Sequence, residues 1–287
     1  MLDLIFAVEN ARAWHEANMM MNRSHYSGLA RLCGSQAVAK LQEGFGARMY
    51  FNNGVCISKG RHRERPMKYG VITTRDLLLD LREWHWLYAS GRMHKPVNII
   101  KDEPFVKAAA DKNLRSALSA ALLTLPPRFD AEMLFTAIAA LSYTGDFRMG
   151  IGENPNKVQN IVRASMSRFH KLYDPTLHSL RGLASISHES SQFEQDTSLT
   201  WKSTLANVLP AGLHHWFPQG HRGGHNAIPF EARGAAIRSG INRGIANIVR
   251  ASSRRQGAKG LLTVPLGNCC SIASCHLMIS LTIFSAR

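Results

Sequence analysis

The run LDLIFAV, two residues into the chain, holds one carboxylate, Asp3, among Leu2, Leu4, Ile5, Phe6 and Val8. An apolar run of this length reads as a central strand of a mixed α/β sheet. A charge inside it is costly unless it is paired or holds a metal ion. Asp3 is therefore the first candidate for chemistry, with a structural ion pair as the plain alternative. Other familiar arrangements are missing. There is no GxxxxGK[ST] phosphate loop and no GxGxxG opening a helix, and no Ser/His/Asp set stands out among the 13 histidines. His221 and His225 have HxxxH spacing, but Gly223 and Gly224 lie between them and argue against a zinc-binding helix. The five cysteines, Cys33, Cys56, Cys269, Cys270 and Cys275, form no CxxC pair. They read as reduced thiols of an intracellular protein.

The elements that would position such a site follow from periodicity and punctuation. After the first strand, Ala11 to Met21 reads as a helix, and the polar stretch NRSHYSGL leads to another from about Leu29 to Gln42. ARMYFNNGVCIS reads as two short strands around Asn53-Gly54, a common hairpin dipeptide. A basic loop, KGRHRERP, precedes a strand in MKYGVIT. Thr74 is placed to cap the next helix, with Leu77, Leu81, Trp84 and Tyr88 at helical spacing and Gly91 as terminator. HKPVNII reads as a strand. From Phe105 the texture becomes helical. Leu114, Leu118, Leu122 and Leu125 line a helix stopped by Pro126-Pro127. Asp130 caps another, and Asn154-Pro155 opens one that carries Val158 to Tyr173 and stops at Asp174-Pro175. Between 181 and 233 periodicity is weak, and it recovers from 238 to 264. The reading is an α+β chain with a sheet domain over 1–104, a compact helical domain over 105–178, and a partly irregular region over 179–287.

With 287 residues, 45% of them hydrophobic, the chain is long enough to bury a sizeable core. No stretch reaches the roughly 20 apolar residues of a membrane-spanning helix. Charge is the strongest compositional signal, 35 Lys and Arg against 20 Asp and Glu, formally +15. Such a surface favours polyanions: nucleic acid, nucleotide phosphates or anionic lipid headgroups.

Longer motifs narrow this. MLDLIFAVENARAWHEAN, HYSGL, KYGVIT, DLREWHWLYASGRMHKP, LSYTGDFRM and GENPNKVQNIV occur in that order between Met1 and about Leu177, with weaker continuation in FEQDTS and IVRASSRRQGAKGLLTV. Together they resemble the mitochondrial phosphatidate cytidylyltransferases, the CDP-diacylglycerol synthases of the translocator assembly and maintenance family. The resemblance implies a nucleotidyltransferase-fold domain followed by a winged-helix-like one. It also implies peripheral attachment to the matrix side of the mitochondrial inner membrane, and synthesis of CDP-diacylglycerol and pyrophosphate from CTP and phosphatidic acid, for cardiolipin. Anionic inner-membrane lipids are then the expected surface partner, and no nucleic acid is expected.

Carried onto this sequence, the resemblance makes Asp3 a ligand for Mg2+ and Lys68 a triphosphate contact, with a solvated strand-edge lysine as the alternative for Lys68. Arg92 and Lys95 become phosphate clamps, or simply compensation of a helix C-terminus. Asp146 and Arg148 become cleft residues, or a structural ion pair. His25 and Ser27 are weaker cleft candidates, and Trp14, Trp84 and Trp86 suit packing better than base stacking. The basic run Lys59, Arg61, His62, Arg63 and Arg65 reads as a solvated loop or a lipid-headgroup contact. Two departures from the family stand out. A glycine-serine-glycine loop and a strand are expected before Asp3, as is a targeting peptide, and the tail from about 265 diverges. On this reading the strand Leu2 to Val8 lacks a sheet neighbour and presents an open edge. An impaired fragment acting only as a basic peripheral membrane binder is then the alternative to an active enzyme.

Overall fold

The computed structural model describes residues 2–57, 65–101, 103–150, 154–180, 182–187, 192–214, 216, 230–263 and 279–283. The chain divides into two compact units, one of Met1–Leu79, Val97–Lys107 and Ser252–Arg287, the other of Asp80–Pro96 and Ala108–Ala251. It begins with β1 (Leu2–Val8), α1 (Ala11–Met21), α2 (Gly28–Gly44), β2 (Met49–Ile57) and β3 (Arg65–Thr73). Next come α3 (Thr74–Glu83), α4 (Ala89–Met93), β4 (Asn98–Lys101), α5 (Pro104–Thr124), β5 (Arg128–Asp130) and α6 (Ala131–Ala140). Then follow α7 (Lys157–Ala164), α8 (Met166–Leu177), β6 (Leu183–Ser187), β7 (Gln192–Gln195), α9 (Leu199–Val208) and α10 (Ala211–His214). A long helix, α11 (Phe230–Thr263), and a strand, β8 (Ile279–Ile283), complete the described chain. Mixed helices and two small sheets make this an α+β protein.

The first unit is built on a five-stranded sheet in the order β2-β3-β1-β8-β4. β1, β3, β8 and β4 run parallel, and β2 is antiparallel to β3. This corrects the expected open edge of β1. Residues Ile279 to Ile283, in the divergent tail, pair with Asp3 to Ala7 along the side away from β3. Their alternating, β-branched ISLTI pattern suits a strand. β1 therefore has neighbours on both sides, which explains why its sequence is almost wholly apolar. On one face Val8, Val55, Tyr69 and Val71 pack with Phe6 and Trp14.

Four local expectations change. Asn53-Gly54 is not a hairpin tip, because β2 continues through it to Ile57 and its partner is β3, with a register shift between Asn52 and Val55. Gly54 at φ 71° supplies the left-handed residue that a bulge needs, as a turn would. The hydroxyl that caps α3 belongs to Thr73 rather than Thr74, accepting from the Asp76 N–H at 3.1 Å. α3 ends at Glu83, not at Gly91, because Trp84 and Leu87 take φ of 53° and 48°. The helix expected from 155 to 173 breaks at Ser165 and runs on past Pro175 to Leu177. The break lets α7 bury Val162 while α8 buries Phe169, Tyr173 and Leu177 in the same core. Pro175 lies in the final turn, where its ring removes only one hydrogen bond. Asp130 caps α6 as expected, through a 2.7 Å bond from the Met133 N–H.

The core of the second unit includes Trp84, Leu118, Phe135, Ile138 and Phe169. Along α11, Ile237, Ile241, Ile245 and Val249 recur every fourth residue and enter that core. A three-stranded antiparallel sheet, β5-β7-β6, belongs to this unit. The basic run from Lys59 to Arg63, the His221 and His225 pair, and Cys269, Cys270 and Cys275 lie outside the described residues.

Candidate active site

In the first unit the parallel ladder puts Asp3 of β1 in register with Lys68 of β3. Side chains in register on parallel strands share a face, so both residues project from the same side of the sheet. Asp3 is 3% exposed, and its Oδ2 makes no hydrogen bond among the described residues. Lys68 Nζ stands 4.6 Å from the centroid of the Phe51 ring. The glycine of the KYG motif makes that possible. A Cβ on Gly70 would come within 2.7 Å of the Phe51 ring, so only glycine lets the ring lie across β3. The face opposite Asp3 holds a buried polar network. His25 Nδ1 is 2.8 Å from the Tyr69 hydroxyl, and Asn18 donates to the hydroxyls of Tyr26 and Tyr69 at 2.9 and 2.8 Å. Ser27 accepts from the Ala30 N–H at 3.2 Å, capping α2.

The second unit carries the remaining candidates, and their supports come from residues that side-chain patterns do not reveal. Asp80, 1% exposed, accepts from the N–H groups of Trp86, Leu87, Tyr88 and Ser90 and from the Ser90 hydroxyl, at 2.8–3.1 Å. These bonds hold a loop containing two residues at positive φ, an arrangement that strain would otherwise open. Asn113 steadies the same loop. Its Oδ1 accepts from Trp84 Nε1 at 2.7 Å and lies 3.0 Å from His94 Nε2, while its Nδ2 donates to the Ser90 carbonyl. Trp84 is thus a packing residue, fully buried. Burial, and the Lys95 charge beside it, lower the His94 pKa to about 3, so its ring is neutral.

The loop delivers Tyr88 and Arg92 together. The Arg92 guanidinium lies 4.1 Å from the Tyr88 ring centroid and donates to the Tyr88 carbonyl and hydroxyl at 3.3 Å. Lys95 turns inward. Its Nζ donates to the Gly91 carbonyl at 2.6 Å and to the Ser142 hydroxyl at 2.9 Å. Gly91 permits this approach, since a Cβ there would sit 2.4 Å from Ser142 Cβ. Asp146 and Arg148 form a forked ion pair, with Nη2–Oδ2 at 2.6 Å and Nε–Oδ1 at 3.1 Å. Burial raises the Asp146 pKa, but the Arg148 bonds and the nearby Lys157 charge outweigh it and leave the pKa below the ordinary value. Asp3 and Lys68 thus share one face of the sheet in the first unit, and Arg92, Lys95, Asp146 and Arg148 all belong to the second.

Comparison with known proteins adds a decisive observation. Residues 1–274 match the profile of the family described as mitochondrial phosphatidate cytidylyltransferase. The chain belongs to this family. The Mus musculus mitochondrial phosphatidate cytidylyltransferase is 40% identical over 271 residues, spanning 92% of this chain and 78% of the mouse protein. The Xenopus laevis protein of the same name is 39% identical over 271 residues, with the same coverage. The Drosophila melanogaster one is 43% identical over 224 residues, spanning 74% of this chain and 64% of its own length. A single buried carboxylate could serve as a magnesium ligand only if substrate supplied most of the ion's coordination. No cluster of three or more His, Cys, Asp or Glu occurs among the described residues. The unbonded, buried Oδ2 of Asp3 fits that role, because magnesium is commonly held by one or two carboxylates with phosphates and waters completing its shell.

Proposed function

We propose that this chain is a phosphatidate cytidylyltransferase. A phosphate oxygen of phosphatidate forms a bond to the α-phosphorus of CTP, the α–β bridging P–O bond breaks, and pyrophosphate leaves as CDP-diacylglycerol forms. The observation that carries this reading is the family match over residues 1–274. Both substrates are polyanions, so the task of the protein is to gather negative charge and hold the reacting groups in line. Asp3 would hold the magnesium ion, which supplies neutralisation of phosphate charge when bound. Lys68, in register with Asp3 on the neighbouring strand, would contact the triphosphate. Arg92 and Lys95 offer fixed donors to phosphate, and Asp146 orients Arg148 through the forked pair. The nucleotidyltransferase fold of the first unit and the winged-helix character of the second belong to this reading, as do the domain limits near 104 and 178. Attachment to the matrix face of the inner membrane and supply of cardiolipin synthesis complete it. The mostly parallel sheet with a carboxylate on an inner strand supports it, and no helix among the described residues is long and apolar enough to cross a membrane.

Labelled CTP, phosphatidate vesicles and magnesium test the proposal directly. The purified chain is expected to form labelled CDP-diacylglycerol, and Asp3→Asn, which keeps volume and removes charge, is expected to fold and fail to turn over. Near-normal product formation by Asp3→Asn would remove Asp3 from the site.

A further inference from the structure

In the first unit, the end of α1 and the start of α2 present apolar side chains to solvent. Leu32, Met20 and Met21, at 85, 78 and 74%, are the most exposed large apolar residues among those described, and Leu29 is exposed between them in sequence. Single exposed hydrophobics are ordinary, but several gathered in one short stretch mark a contact surface. The stretch is firmly held from behind. Tyr26, Ala30 and Val38 turn inward and pack with Tyr50, and Met19 and Leu41 pack against them. Gly34, at φ 77° and ψ 173°, breaks α2 and sets residues 28–33 at an angle to the rest of the helix. A Cβ there would meet nothing within 4 Å, so the left-handed backbone, not close packing, calls for glycine. Charge completes the picture. From residue 17 to residue 42 the chain holds no Asp or Glu. Arg23, Arg31 and Lys40 are exposed there, and none of them forms an ion pair among the described residues.

We infer that this face, made of Met20, Met21, Leu29 and Leu32 with Arg23 and Arg31, docks the protein on an anionic membrane. Lipid meets both of its demands. The acyl boundary takes the methionines and leucines, and headgroup phosphates take the guanidinium groups. A second copy of the chain suits it less well, because a two-fold contact would set the same arginines against each other. The surface stands on exposure and charge within the first unit. That it delivers the protein to a lipid substrate rests on the cytidylyltransferase reading.

Flotation of the full chain tests this with vesicles of phosphatidylcholine and phosphatidylglycerol, which carry the charge but not the phosphatidate. The unmodified chain is expected to float with them. Leu29→Gln/Leu32→Gln is expected to weaken partitioning about tenfold or more while keeping its salt dependence, since two apolar side chains leave the acyl boundary and the cations remain. Arg23→Gln/Arg31→Gln is expected to weaken it about tenfold at low salt and to flatten that dependence. Arg115→Gln/Lys171→Gln, at exposed positions of the second unit, makes the same change in charge and should float as the unmodified chain does. All these side chains are exposed, so melting temperatures should stay close to that of the unmodified chain. Failure of the unmodified chain to float, unchanged partitioning in the leucine variant, or equal weakening by the Arg115/Lys171 control would overturn the surface. A dimer lost in the leucine variant, with flotation intact, would give the face to a second copy instead. Conversion of CTP and phosphatidate in detergent micelles needs no docking and is scored separately. Conversion without vesicle binding keeps the cytidylyltransferase reading and sinks the surface. The leucine effect in a chain that never converts them does the reverse.

Discussion

Asp80 and Lys95 are buried charges held in opposite ways. Asp80 is surrounded by donors, and Lys95 by neutral acceptors and other cations. Replacing Asp80 by Ala strands several backbone N–H groups, so a loss of about 3 kcal/mol or more is expected, measurable by urea denaturation. Loss of less than about 1 kcal/mol would mean that water replaces the carboxylate and that the loop does not depend on it. Lys95 makes a prediction in pH. Its pKa falls from 10.5 in the unfolded chain to about 7 in the folded one, so the unfolded chain binds more protons between those values. Stability contributed at this position therefore rises from about pH 7 toward pH 10 and is lowest below pH 7. Lys259, also buried and lowered to about 7 by burial and Arg48, adds to the same slope. Melting curves from pH 6.5 to 9.5 should therefore climb less steeply in Lys95→Met, and an unchanged slope would remove Lys95 as a contributor. Asp3 is legible in the sequence because a carboxylate among apolar residues is conspicuous. Asp80 is not, because in DLREWHWLYASGR it looks like one more charge on an amphipathic helix. Its partners are backbone N–H groups of a loop, which no side-chain pattern encodes.

Elements were legible where local signals were sufficient. α1, α5 and α6 follow directly from periodicity and caps, as does the strand character of β1 and β3. Asn53-Gly54 misleads because a left-handed glycine serves a bulge and a turn equally well, and only the distant pairing with β3 separates the two. The stretch Leu77 to Tyr88 misleads because helical spacing continues after the backbone has turned away at Trp84. β8 was hidden for a different reason: its partners β1 and β4 are remote in sequence. It nonetheless occupies an inner position of the sheet, with Leu281 in register with both Ile5 and Ile99. Leu281→Pro removes a ladder donor there and is expected to destabilise the first unit by about 3 kcal/mol. Hydrogen exchange should then show faster exchange along β1 while the core helices of the second unit stay protected. Uniform protection across β1 in that variant would show that β8 contributes nothing to the sheet.

At the scale of the whole molecule, an excess of positive charge meets a substrate that resides in a membrane. Binding to vesicles containing phosphatidate should weaken steeply with added salt, each exposed cation near the surface contributing on the order of 1 kcal/mol at low ionic strength. Flotation at two salt concentrations measures this, and binding that ignores salt or occurs equally on neutral vesicles would point to apolar insertion instead. The pairing of Asp3–Ala7 with residues 279–283 has a consequence in time. During synthesis β1 leaves the ribosome before β3 and can pair with it after a modest loop has closed. Its other side must wait for β8, which follows every other described element, and closing so long a loop is entropically slow. A nascent chain halted before residue 279 would therefore hold its sheet half-zipped, with β1 and β4 each exposing a row of backbone groups. The protein is then exposed to mispairing and chaperone capture until β8 has emerged, after the described helices of both units have left the ribosome.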